Sequence, residues 1–81
     1  MKIEFYKTGV CPRCMLAQRE LNRVLQDKPD IALETIEIST NLMRTWKAGV
    51  RLFPALKIGD DILAGVLLSE EKINQFIAQQ H

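Results

Sequence analysis

Two cysteines, Cys11 and Cys14, stand at the junction of an apolar strand-like segment and a long helical pattern, and they are the only cysteines in the chain. A helix beginning at Pro12 places Cys11 at the N-cap. Pro12 then takes the first helical position, where its missing N–H has no partner to lose. Cys14 falls at the third helical position, and helical side chains lean toward the N-terminus. The two sulfurs therefore meet, as the partners of a capping box do. The chain must run strand, tight loop, helix, and the dithiol can close and reopen with little backbone movement.

Position separates the two thiols. Cys11 is expected at the exposed helix end, where free N–H groups and the helix dipole favour a thiolate. Arg13 adds a positive charge, and Lys7 is a second candidate. Such surroundings lower a thiol pKa from about 8.5 toward roughly 3.5–7.5. Cys11 is the candidate nucleophile. Cys14 begins an inward-facing stripe with Ala17, Leu21, Val24 and Leu25, and is the candidate resolving thiol.

The remaining pattern orders the elements. Ile3, Phe5 and Tyr6 mark a first strand, and the helix from Pro12 to about Lys28 stops at Pro29. Residues 31 to 38 read as a second strand. Ser39 or Thr40 caps a short second helix with an apolar face of Leu42, Met43 and Trp46. Trp46 is expected to pack inward, and Arg51 to be solvated. Gly49 suits the left-handed residue closing that helix. Ala55 to Ile58 is a third strand, Gly59-Asp60-Asp61 a hairpin turn, and Ile62 to Gly65 a fourth strand. Ser69 caps a last helix that buries Ile73, Phe76 and Ile77. The expected fold is α/β, in the order β-α-β-α-β-β-α, with a four-stranded mixed sheet and helices on both faces. Residues 1–81 form one domain.

Composition excludes several classes. A formal charge of +1 leaves no basic footprint for nucleic acid or an anionic membrane. The longest apolar run, Ile62 to Leu68, is far short of the ~20 residues that span a bilayer. Met1-Lys2-Ile3-Glu4 lacks the apolar core of a signal peptide, so a cytoplasmic location is expected. No nucleotide or flavin fingerprint is present, so no cofactor is expected and reducing power must come from a partner.

Other uses of the cysteine pair stay open. A structural staple closing so short a loop is worth only about 2 kcal/mol. Structural zinc wants four ligands, and His81 is the only histidine. No metal site is expected, although a two-coordinate Cu(I) carrier or a non-catalytic redox sensor could use the same CxxC.

Tyr6 through Cys14 resembles the strand–loop–CPxC start of glutaredoxins. Residues 49–56, Gly-Val-Arg-Leu-Phe-Pro-Ala-Leu, are similar to the thioredoxin segment that carries a cis-proline, and Gly59 and Gly65 match the hairpin glycines after it. Over nearly its whole length the chain resembles the thioredoxin-like superfamily, and best its glutaredoxin-sized small thioredoxins and redox-active disulfide proteins. The resemblance implies a thiol–disulfide oxidoreductase in which Cys11 attacks and Cys14 resolves. It matches Pro54 to the cis-proline beside the disulfide. By the same resemblance Phe53 would offer backbone groups to an extended substrate, and Val10 is a third substrate-contacting candidate. Val50, Leu52 and Phe53 could rim the site.

The departures are informative. Val10 stands where thioredoxins carry Trp, and Phe5 where they bury an Asp. Glu4, the nearest carboxylate, is expected to be solvated at the strand's start. Leu52-Phe53 and Gly65-Val66-Leu67 replace the Thr-Val and Gly-Gly-acidic patterns of glutaredoxins. The expected substrates are therefore protein disulfides. A thioredoxin reductase-like partner or glutathione is the reductant, and a glutathione-dependent glutaredoxin is the alternative.

Overall fold

A computed structural model describes residues 2–9, 11–65 and 68–80. Strand β1 (Lys2–Lys7) shows why the sheet is covered twice. Its side chains alternate between faces, so Ile3 and Phe5 enter one buried cluster and Tyr6 another. Helix α1 (Pro12–Leu25) carries β1 over to β2 (Ala32–Glu37), which pairs parallel to it from Lys2↔Ala32 to Lys7↔Glu37. Such a parallel pair requires a crossover connection. Helix α2 (Leu42–Lys47) leads to β3 (Ala55–Ile58), antiparallel to β1, and a two-residue turn leads to β4 (Asp61–Ala64). Gly59 gives that turn its positive φ of 59°. Helix α3 (Glu70–Ala78) closes the order, and the sheet runs β2-β1-β3-β4. This is the mixed four-stranded arrangement expected from the sequence.

The stripe on α1 is buried as its spacing requires: Cys14, Ala17, Leu21 and Val24. Ala17, Leu21 and Val24, together with Ile73, Phe76 and Ile77 of α3, pack with Ile3, Phe5, Leu56 and Ile58. The opposite face holds a smaller cluster of Tyr6, Ile36, Ile38, Val50 and Ala55. Ser69 caps α3 by accepting the Lys72 N–H at 3.3 Å, and Gly49 follows α2 at φ 86°.

The structure corrects several expectations. Helix α1 ends at Leu25 rather than near Lys28, because the residue before Pro29 is biased away from helical geometry. Ile38 leaves the sheet to open a 3-10 turn through Thr40, so neither Ser39 nor Thr40 caps α2. Asn41 holds the cap position without a side-chain cap bond, and its Nδ2 donates instead to the Glu37 carbonyl at 2.8 Å. The largest correction concerns the face of α2. Leu42, Met43 and Trp46 are 66%, 70% and 63% exposed, and only Thr45 of that helix is buried. A helix of under two turns can bury one position and leave its neighbours in water. Val50 is the converse case: it belongs to the core rather than to a rim.

Glu4 is also not simply solvated. Its Oε2 pairs with Arg44 Nη2 at 3.0 Å, and its Oε1 accepts the Tyr6 hydroxyl at 3.2 Å. Arg44 reaches Glu34 at 2.9 Å, and Lys2 meets Glu34 at 2.7 Å. Arg44 and then Lys2 hold the Glu34 carboxyl down at about 2, well below its ordinary range.

Candidate active site

Strand β1 and helix α1 bring the dithiol together. Cys11 is the N-cap of α1, with extended backbone (φ −150°, ψ 109°), and Pro12 follows at the start of the helix. The Cys14 N–H donates to Cys11 Sγ at 3.3 Å. The sulfur thus does what a serine or aspartate oxygen does at an ordinary N-cap: it satisfies an orphan helix donor. The same bond folds the Cys11 side chain back over its own helix. As a result Cys11 is only 6% exposed, against 1% for Cys14, and is more covered than an open helix end suggested. Both cysteines are free thiols.

Their electrostatics diverge as the motif leads one to expect. Cys11 is lowered below the usual thiol range, chiefly by a hydrogen bond from the Cys14 thiol. Burial opposes that shift, while the Cys14 N–H, the Thr8 hydroxyl and the Arg13 N–H reinforce it. Arg13 therefore helps through its backbone, where the sequence had suggested its charge. Cys14 is raised, first by burial and then by its hydrogen bond to Cys11. One proton shared between two sulfurs leaves the N-cap sulfur as the better anion.

On the opposite side of the sequence, the Phe53–Pro54 peptide is cis and Pro54 is fully buried at the entry to β3. Phe53 is 38% and Leu52 62% exposed. Arg51 is not a free surface cation: its guanidinium stacks 3.6 Å from the Trp46 ring centroid and donates to the Trp46 and Val50 carbonyls, both at 3.1 Å. Nothing in residue spacing signalled that stack. Val10 and His81 lie outside the described residues, as do Val66 and Leu67. Among the described residues, no group of three or more His, Cys, Asp or Glu could hold a metal ion. No helix among them is long and apolar enough to cross a membrane.

Residues 1–78 match the thioredoxin-domain family. The chain belongs to that family. A thioredoxin from Methanocaldococcus jannaschii is 29% identical over 63 residues, which cover 76% of this chain and 74% of that one. Thioredoxin 1 of the thermophile Thermosipho africanus superposes with a TM-score of 0.80 at 21% identity, covering 98% of this chain and 92% of its own. Reduced desulfothioredoxin from Desulfovibrio vulgaris Hildenborough gives a TM-score of 0.82 at 17% identity, covering 96% and 79%. At these identities the two structures speak for the fold, and the family match for the chemistry. This thioredoxin-domain protein is a thiol–disulfide oxidoreductase with a close Cys11–Cys14 pair.

The opposed shifts make a direct expectation. When the reduced protein is alkylated across a pH series, Cys11 is modified first, at pH values below the ordinary thiol range. Cys14 follows only under more alkaline conditions. At neutral pH the difference in rate is at least about tenfold. Peptide mapping of the labelled protein checks this, and faster labelling of Cys14 would reverse the assigned roles.

Proposed function

We propose that this protein reduces protein disulfides through the Cys11-Pro12-Arg13-Cys14 couple, acting as one domain over residues 1–81 in a reducing cytoplasm. The Cys11 thiolate attacks one sulfur of the target. The target S–S bond breaks, a mixed disulfide forms, and the departing thiolate takes a proton. Cys14 then gives up its proton and attacks Cys11, closing the internal disulfide and freeing the second target thiol. Two electrons and two protons pass from this protein to the target. A separate reductase, or glutathione, restores the dithiol.

The observation that carries this reading is the asymmetric sulfur pair at the N-terminus of α1, joined by the 3.3 Å bond from the Cys14 N–H to Cys11 Sγ. The preference for protein targets has its own support. A groove of about 250 Å³ lies between α2 and the segment before Pro54, lined by Leu42, Trp46, Arg51 and Phe53 over a floor of Ile38, Thr45 and Val50. Its exposed walls are mostly apolar, which suits a polypeptide side chain better than a small, highly charged thiol. Phe53 adjoins the cis-proline, so a target laid along that backbone would reach the groove.

Replacing Phe53 or Trp46 with Ala tests this. KM for a protein disulfide is expected to rise by roughly five- to twentyfold, since each removes about 1–2 kcal/mol of contact. Reduction of a small aromatic disulfide should stay within about twofold of wild type. Equal losses on both substrates would refute docking in the groove.

A further inference from the structure

Thr8 and Gly9 follow the end of β1, just ahead of the dithiol, and the Gly9 backbone is held from the end of another strand. The Gly9 N–H donates to Glu37 Oε1 at 2.9 Å, and the Ser39 hydroxyl donates to the same oxygen at 2.8 Å. A Cβ on Gly9 would come within 3.7 Å of the carboxylate, so this group sits directly against the glycine backbone. The topology explains the meeting. Strands β1 and β2 are parallel and in register at Lys7↔Glu37, so both end at the same edge of the sheet. The carboxylate ending β2 therefore stands where the chain leaves β1 for the dithiol. Lys7 is the charged residue beside it across the ladder.

We propose that Glu37 is a positioning residue of the dithiol centre, clamping the Gly9 backbone two residues ahead of Cys11 and so fixing where the chain enters the N-cap of α1. Thr8 adjoins the clamped residue, and its hydroxyl is among the groups that favour a thiolate at Cys11. Glu37 touches no reacting atom. It acts through geometry, with Ser39 orienting the carboxylate that holds Gly9. The inference rests on the reading of Cys11 as the attacking thiolate, but its test needs no substrate.

The experiment compares the reduced full chain with its Glu37→Ala, Glu37→Gln and Ser39→Ala variants. Two quantities are read: hydrogen exchange at the Gly9 amide by NMR, and the pH profile of Cys11 alkylation. In Glu37→Ala the Gly9 amide is expected to exchange at least about tenfold faster. The alkylation profile should move to higher pH, with the neutral-pH rate down by about threefold or more. Glu37→Gln keeps an acceptor oxygen without the charge, and both readouts should stay within about twofold of wild type. Ser39→Ala should move both in the Glu37→Ala direction by a smaller amount. An unshifted alkylation profile in a Glu37→Ala protein whose Gly9 amide has lost protection would overturn the proposal. So would a Glu37→Gln shift as large as that of Glu37→Ala, since charge would then be the cause. If Glu37→Ala does not fold, unchanged Gly9 protection in Ser39→Ala overturns it instead. A protein that shows the clamp signature yet reduces no disulfide would contradict the oxidoreductase reading and leave the clamp standing.

Discussion

Replacing Cys14 with Ser is expected to turn this protein from a catalyst into a trap. Cys11 keeps the N-cap position and the helix N–H groups, so it still attacks a target disulfide. The second step has no thiol to perform it, and the mixed disulfide accumulates. Turnover should fall by at least about a thousandfold, while protein adducts at Cys11 become stable to non-reducing electrophoresis. Cys11→Ser should lose turnover to the same degree and trap nothing, because Cys14 is buried and its thiol is raised. Adducts forming on Cys14 in the Cys11→Ser protein would contradict the division of labour. Recovery of glutathione alone by the Cys14→Ser trap would favour a glutaredoxin.

The second large effect is on stability. Phe5 is 0% exposed in the main cluster, at the position where thioredoxins carry a buried Asp. Phe5→Ala removes a full aromatic side chain from a packed site, at a cost of about 3–5 kcal/mol. At roughly 0.05–0.15 kcal/mol per residue, a chain this long has only about 4–12 kcal/mol to lose. Thermal unfolding should therefore drop by at least about 12 °C. Met43→Ala, on the exposed face of α2, should change stability by less than about 0.5 kcal/mol. A similar response from both variants would mean that the α1–α3 face is not the centre of the core. The comparison is informative because hydropathy ranks both residues as core candidates, and only the fold separates them.

That pair also shows where sequence reading stopped. The CPRC motif, the element order and the α1 stripe follow from local rules: a proline tolerated at N1, a helical period, a serine at a cap. The left-handed glycine at Gly49 was legible because its backbone demand is local too, whereas the cis peptide at Pro54 was implied only by the family resemblance. Helix α2 was read inside out. Six residues give too little periodicity to tell a buried face from an exposed one, so Leu42, Met43 and Trp46 looked like core. Val50 erred the other way, since it lies outside any regular element and only the sheet above it shows that it is covered. Contacts between distant residues were beyond reach altogether. The Arg44 pairs to Glu4 and Glu34, the Arg51 stack on Trp46 and the Glu37 bond to Gly9 have no periodic signature. They arise from strand register and chain crossing, which exist only once the fold does.

The groove beside Pro54 is built from the same exposed face of α2. Apolar residues that fail to enter a core remain as surface, and here they gather next to the segment preceding the cis-proline. In the proposed function, Leu42, Trp46 and Phe53 supply the apolar area against which a target rests.

Passage of electrons from Cys11 and Cys14 to protein disulfides is read in steady-state reduction of a protein disulfide, with NADPH and a thioredoxin reductase in one arm and glutathione with its reductase in the other. Turnover is expected in the reductase arm, with loss of that turnover in Cys11→Ser and little or no saturable dependence on glutathione. Turnover with glutathione alone would contradict the assignment of protein targets, and no turnover in either arm would contradict electron transfer from this dithiol to protein disulfides.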